Sequence, residues 1–340
     1  MHMADALISP AVGGVMWAAT VGLIGYSAKK IKEEADNHKV PLMGVLGAFI
    51  FAAQMINFSI PATGSSGHLG GGMILAILLG PYAAFLVMAS VLIVQALFFA
   101  DGGLLALGCN IFNLGFFPCF VVYPLIYRKI LGNYPTQGKI MLASLIAAII
   151  SLQLGAFSVV LETVFSGISA LPFPTFVILM QPIHLAIGVV EGLVTAAVVT
   201  FVWKVRPEIL NAAKNSLPIG KLNIKKVLLV LVFVAAVTGG ALSWFASSNP
   251  DGLEWAMFKT SGKEELESQE GLHASLAGIQ EKTAFLPDYG FKKGEPTAEA
   301  ESKWPAVDSG TSVSGLVGGL LTLIVAVLIG LGLRQRKNAA

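Results

Sequence analysis

LGGGMILAILLGPYAAFLVMASVLIVQALFFA, residues 69–100, is the stretch that decides how often the chain crosses a membrane. It is one apolar run interrupted by Gly70, Gly71, Gly72, Gly80 and Pro81. As one long tilted helix it crosses once; as two short helices it crosses twice. Other apolar stretches run roughly over 9–28, 41–57, 105–127, 140–164, 176–203, 227–246 and 313–333. Several reach the length of about 20 residues that a span needs.

Charge chooses between the two readings. Lys29, Lys30, Lys32 and Lys39 follow the first stretch, and Arg128, Lys129 and Lys139 flank the connection after 105–127. Lys204, Arg206, Lys214, Lys221, Lys225 and Lys226 follow 176–203, and Arg334, Arg336 and Lys337 form the tail. Residues 247–312 carry six basic and twelve acidic side chains, a net of −6. With 69–80 and 81–99 as separate spans and the N-terminus outside, all four basic groups are cytoplasmic and the acidic loop is outside. A single crossing would move the 128–139 group outside and break the positive-inside rule. The expectation is an all-α polytopic membrane protein of about nine transmembrane helices. Its third and fourth segments are short, tilted or broken, which is tolerated only where protein or a cavity satisfies the backbone.

Composition agrees. Hydrophobic residues make up 55% and charged residues 12%, about half the usual globular fraction of roughly 25%. Mean hydropathy is +0.76. A soluble domain cannot hide that much apolar surface, and a net charge of +2 is too small to attract nucleic-acid phosphates. Cys109 and Cys119 have no CxxC spacing, so they offer neither a disulfide framework nor a zinc ribbon.

The chain divides into a seven-span bundle over 1–205, a basic cytoplasmic linker over 206–224, and a two-span module over 225–340 built around the extracytoplasmic loop 247–312. No internal repeat of the kind common in secondary transporters is evident. No basic residue precedes the first apolar stretch, so the start does not read as a signal peptide. With His2 as second residue, Met1 is expected to remain and to keep a free amine.

Few titratable groups enter the apolar part, so each is informative. The amine of Met1, the backbone nitrogen of His2 and its imidazole Nδ1 can close two fused chelate rings on one ion. One more imidazole completes a square plane, a nitrogen set that suits Ni(II) or Cu(II). His68, in the Gly- and Ser-rich loop GSSGHLGGG, is the candidate fourth donor. His38 lies in a charged, solvated segment. Gln54, Asn57, Gln95 and Asn110 are polar amides at or within spans, read as interhelical bonds or as support for the metal histidines. His184 and Glu191 lie seven apart on nearly one helix face, directed inward. Glu162 reads as interfacial. Asp5 and Asp101 are outer carboxylates that draw cations in or orient the N-terminal segment. Trp255 and Trp304 read as interfacial anchors of the 247–312 loop, whose negative charge raises the local cation concentration. No proposed ligand lies in that loop.

MHMADALISPAVGG at the start, QMINFSIPATGSSGHLGGG at 54–72, VQALFFADGGLLALGCNIFNLG at 94–115 and HLAIGVVEGLVT at 184–195 resemble the CbiM/NikM family. These are substrate-binding membrane components of energy-coupling-factor cobalt and nickel transporters. PDGLEWA at 250–256 resembles the PDGLE domain, a NikN-like partner fused to NikM in some systems. The resemblance implies an outer metal site made by Met1, His2 and His68, with the N-terminal segment tucked into the bundle. The opening MHMADAL departs from the MHIPDGFL or MHIMEG of many relatives without touching the ligand positions. The expected function is capture of Ni(II), with Co(II) for cobalamin synthesis as the alternative. The metal is cargo, and no catalytic cofactor is expected. The chain has no GxxxxGK[ST] loop, so ATP hydrolysis falls to separate cytoplasmic ATPase subunits working through a transmembrane coupling subunit. Without HExxH, an intramembrane metalloenzyme is disfavoured; an autonomous channel or ion-coupled carrier is the other rival. The expected setting is a prokaryotic cytoplasmic membrane, N-terminus outside and C-terminus inside.

Overall fold

The computed structural model describes residues 2–34, 36–169, 171–262, 271–292 and 304–333. Met1, an expected ligand, lies outside the described residues, as do Arg334, Arg336 and Lys337 of the basic tail. In chain order the helices are α1 (Pro10–Glu34), α2 (Val40–Gln54), α3 (Gly72–Leu79), α4 (Pro81–Phe99), α5 (Leu107–Leu131), α6 (Gln137–Ser166) and α7 (Phe173–Val205). Then come α8 (Pro207–Asn215), α9 (Lys225–Gly240), α10 (Gly252–Ser261), α11 (Leu272–Thr283) and α12 (Ser309–Gly332). A hairpin of two short strands, β1 (Phe58–Ile60) and β2 (Ser65–Gly67), connects α2 to α3, with Ser59 opposite Ser66.

Residues 69–100 form two helices. Gly80 takes φ +78°, a left-handed backbone that a side chain would disfavour, and Pro81 then opens α4 at the position where its missing N–H costs nothing. The expected third span is corrected in one respect. α3 has only eight residues, about 12 Å of helix at the standard rise, and cannot cross a hydrocarbon core of about 30 Å alone. Its far end meets α8, with Gly80 close to the Ala213 carbonyl.

Six helices among the described residues are long and apolar enough to cross: α1, α4, α5, α6, α7 and α12. α2, at 15 residues, and α9, at 16, are shorter. Over Phe112–Tyr127, α5 is wound as a π-helix, and it carries Pro118 and Pro124 inside. Its wider turn accommodates residues that lack an N–H.

α4 lies at the centre of the bundle, with Phe85, Val87, Val94 and Phe99 fully buried. α6 and α7 pair along their length, joined by Gln153 Nε2 donating to the Gln181 carbonyl at 2.8 Å. Such interhelical bonds contribute roughly 0.6 kcal/mol each in a bilayer. From the second module, α9 and α12 pack on α2, and the Phe51 ring sits directly on Gly318. Val15, Leu229, Phe233, Leu320 and Leu328 remain exposed on α1, α9 and α12. Large apolar side chains on open helix faces suit a solvent of lipid rather than water.

Candidate metal site

The N-terminal segment is threaded into one end of the bundle. Met3, Leu7 and Ile8 are fully buried. Asn110 of α5 grips the backbone at Met3 from both sides: its Oδ1 accepts from the Met3 N–H at 2.8 Å, and its Nδ2 donates to the Met3 carbonyl at 3.2 Å. That carbonyl also accepts from Gly103 N–H at 2.9 Å. A turn at Asp5–Leu7 follows, anchored by Asp5 Oδ1 accepting from Ala106 N–H at 2.9 Å. Burial raises the Asp5 carboxyl, and the Ala106 N–H works against that rise. Asp5 thus orients the segment.

The Gly102–Gly103 pair explains how the segment lies so close. A Cβ at Gly103 would stand 1.9 Å from Asp5 Oδ1 and 2.4 Å from the Asp5 backbone nitrogen. Gly103→Ala is therefore expected to push residues 2–8 out of the bundle while the helices still assemble. Protease access to residues 2–8 should rise and the thermal midpoint should fall as Met3, Leu7 and Ile8 leave the core, and unchanged protection and stability in that variant would contradict this seating.

His68 sits on the other wall. Gln95 Nε2 donates to Gln54 Oε1 at 2.8 Å, and Gln54 Nε2 donates to the Gly70 carbonyl at 2.8 Å. Glu191 of α7 receives Gly70 N–H on Oε2 at 2.7 Å and Gly71 N–H on Oε1 at 3.1 Å. Two amides and a carboxylate thus fix the backbone that presents His68. Its Nδ1 lies 3.0 Å from the Leu69 carbonyl. A carbonyl only accepts, so Nδ1 carries the proton and Nε2 keeps its lone pair. Desolvation pulls the His68 imidazole down to about 3, so it is neutral at ordinary pH.

The two histidines meet. Their rings stack with centroids 5.0 Å apart and planes 14° from parallel. His2 Nδ1 is 2.9 Å from Asp101 Oδ1, while its Nε2 is buried without a hydrogen-bond partner among the described residues. Burial would raise Asp101, but the His2 imidazole beside it holds the carboxyl at about 2. The histidines face a cavity of about 540 Å³ also lined by Asp101, Asp251, Glu254 and Asp288. Convergent carboxylates in a confined space concentrate cations.

The second module roofs this cavity, a part that sequence reasoning missed. Pro250 accepts from Ser66 N–H at 2.8 Å through its carbonyl, joining the PDGLE segment to β2. Asp251 then caps α10: its Oδ1 accepts from Leu253 and Glu254 N–H, while Glu254 accepts from Asp251 N–H. This capping box was legible in DGLE as a local signal. Gly252 lets the turn approach α7, since a Cβ there would lie 2.6 Å from Ile183. Leu253 is buried beside it. From α11, His273 Nε2 donates to the Ile8 carbonyl at 2.9 Å, and Gln280 Nε2 donates to the Ala96 and Gly102 carbonyls. Tyr289 hydrogen-bonds Asp101 through its hydroxyl and stacks on Phe99. Burial, then the Asp101 charge, raises the Tyr289 phenol, so it remains a donor.

Other expected residues fall as follows. Asn57 lines the cavity; its Oδ1 has no hydrogen-bond partner among the described residues, and its carbonyl accepts from Ser247 N–H at 2.7 Å. Glu162 is corrected from interfacial to buried, accepting from Asn113 Nδ2 at 2.8 Å and Ser158 Oγ at 3.2 Å. Trp255 joins the two modules, its indole N–H donating to the Thr63 carbonyl at 3.0 Å. Trp304 is exposed. Cys109 and Cys119 are buried and free.

Residues 2–209 match the CbiM family, described as a cobalt uptake substrate-specific transmembrane region, and residues 225–335 match the PDGLE domain. A putative fused nickel transport protein NikMN of Archaeoglobus fulgidus is 32% identical over 326 residues, 95% of this chain and 96% of its own. A putative metal transport protein of Haloquadratum walsbyi is 36% identical over 209 residues, 62% of this chain and 93% of its own. Among solved structures, a truncated transition metal transporter is similar at TM-score 0.54 and 32% identity, covering 60% of this chain and 99% of that one.

Proposed function

For this chain, which belongs to the CbiM family and carries a PDGLE domain, we propose the role of capture component in an energy-coupling-factor importer. The cargo is Ni(II), taken from outside by the Met1 amine, the His2 amide and imidazole, and the His68 imidazole. Separate cytoplasmic ATPase subunits and a transmembrane coupling subunit drive its passage inward, and this chain catalyses no reaction itself.

The observation that carries the reading is the stacking of His2 and His68 over a carboxylate-lined cavity. Imidazole nitrogens stand about 2 Å from a bound transition metal, and rings with centroids 5.0 Å apart are close enough to share one. His68 already offers Nε2. His2 gives up its contact with Asp101 so that Nδ1 can close the chelate ring, and the Asp101 charge then balances the ion. Four nitrogens in a plane favour Ni(II) over Co(II). The cobalt wording of the CbiM match makes Co(II) the second reading. Copper binds such donors more tightly still, so selection in the cell draws on which metal is available.

Parallel dialysis of the full chain against Ni(II) and Co(II) at pH 8 and pH 6 tests the assignment. The amine has an ordinary value of about 7.7–8.0 and must lose its proton to bind. Affinity should therefore fall steeply as pH drops, with protons released on binding. His68, held at about 3, adds nothing to that slope. Nickel should bind more tightly than cobalt, and cells lacking the ATPase subunits should accumulate neither. A flat affinity between the two pH values would refute the chelate, and ATPase-independent uptake would refute the importer.

A further inference from the structure

His184 is used by nothing described so far. It lies on α7, fully buried, with Nδ1 2.8 Å from the Met180 carbonyl. That carbonyl fixes the proton on Nδ1, as Leu69 does for His68. The remaining nitrogen, Nε2, is a bare lone pair, buried and without a hydrogen-bond partner among the described residues. An unmet acceptor in a protein interior is costly and calls for an occupant. A small second cavity of about 10 Å³ lies there, lined by His184, His68, Gly67, Gly70 and Asp251 among others. That volume holds about one water-sized particle. His68 and Asp251 line the large cavity as well, so they form the partition between the two spaces.

From this geometry we infer a second metal station: His184 Nε2 takes the divalent transition-metal cation from His68 on its way into the bundle. The inference rests on the capture reading above. The cation arrives stripped of water, because the space admits nothing larger. A neutral imidazole suits borderline ions such as Ni(II) and Co(II), and the Asp251 carboxylate at the partition offsets the charge in transit. Two turns further along the same face, Glu191 holds the Gly70–Gly71 backbone. The His68 loop and the His184 helix therefore meet as one braced unit, and the step between stations is short. His184 is no part of the capture chelate, which its four nitrogens already complete.

The test uses the full chain in lipid nanodiscs, with and without residues placed ahead of Met1, each carrying His184, His184→Ala or His184→Gln. Glutamine retains polarity and much of the volume, guarding against a packing artefact. Without the extension, all three should hold equal Ni(II) at equilibrium with the same square-planar absorption band. With the extension, His184 protein should keep a weaker residual Ni(II) site that both substitutions remove. In cells carrying the whole transporter without the extension, both substitutions should cut Ni(II) uptake by about ten- to a hundredfold at unchanged capture. Unaltered uptake in both variants would overturn the relay, as would residual binding that is absent or indifferent to His184. Loss of the capture band in both would make His184 a support of the outer site and overturn it equally. If the unextended His184 protein lacks that band, the capture reading fails separately from the relay.

Discussion

Residues added ahead of Met1 are expected to abolish tight Ni(II) binding although every side chain of the site remains. The extension turns the terminal amine into an amide, a far poorer donor unless it too loses its proton. It also puts bulk beside a segment that has no slack. Met3 is fully buried and its backbone is gripped by Asn110 and Gly103. N-terminal acetylation should have the same effect with less bulk. The same extension at the other end of the chain should be harmless. Nickel content is compared between the two otherwise identical preparations, using a sequence that binds no metal itself, and cleavage should restore binding only when Met1 again comes first. Equal nickel and equal affinity in both preparations would remove the amine from the ligand set, and the His2 chelate with it.

His68→Ala should have a comparable effect by a different route. It deletes the fourth nitrogen while leaving the loop in place, because Glu191 and Gln54 hold the backbone of Gly70 and Gly71 rather than the His68 ring. Affinity should drop by more than the roughly ten- to hundredfold that follows loss of a ligand's hydrogen-bond partner. Thermal stability should change little, since the ring's one hydrogen bond among the described residues is to the adjacent Leu69 carbonyl. Unchanged stoichiometry and affinity in dialysis would strike His68 from the site.

How much of this was legible depends on whether the determining contacts are local. Gly80 and Pro81 announce the break within 69–100 because backbone geometry is a property of the residues themselves. The shortness of α3 was not legible. Leu69, Gly70 and Gly71 look like the start of an apolar helix, yet Glu191, some 120 residues away, holds the N–H groups of Gly70 and Gly71 in a loop. His2 and His68 were identifiable from donor chemistry and from family resemblance. Asp101 as partner of His2 was not, because a carboxylate at a helix end has many uses. Glu162 near the end of an apolar run suggests an interface, and only the position of Asn113 on α5 reveals that it points inward. The roof over the cavity was the largest omission. Loop 247–312 is polar and acidic, which signals solvation, and its docking depends on pairs such as Tyr289 with Asp101 that no spacing rule connects.

The bond from His273 to the Ile8 carbonyl spans 265 residues of chain. Ribosomes add about 5–20 residues per second, so roughly 13–53 s separate the emergence of the two partners. For that interval the Ile8 carbonyl waits for His273, while Asp101, which already faces His2, waits for Tyr289. Enclosure of the N-terminal segment is therefore a late event in biosynthesis, completed only when α11 and Tyr289 have been translated and folded back. A nascent chain released before that point would present its N-terminal segment half enclosed to the proteases that police membrane assembly, whereas the finished one presents it sealed.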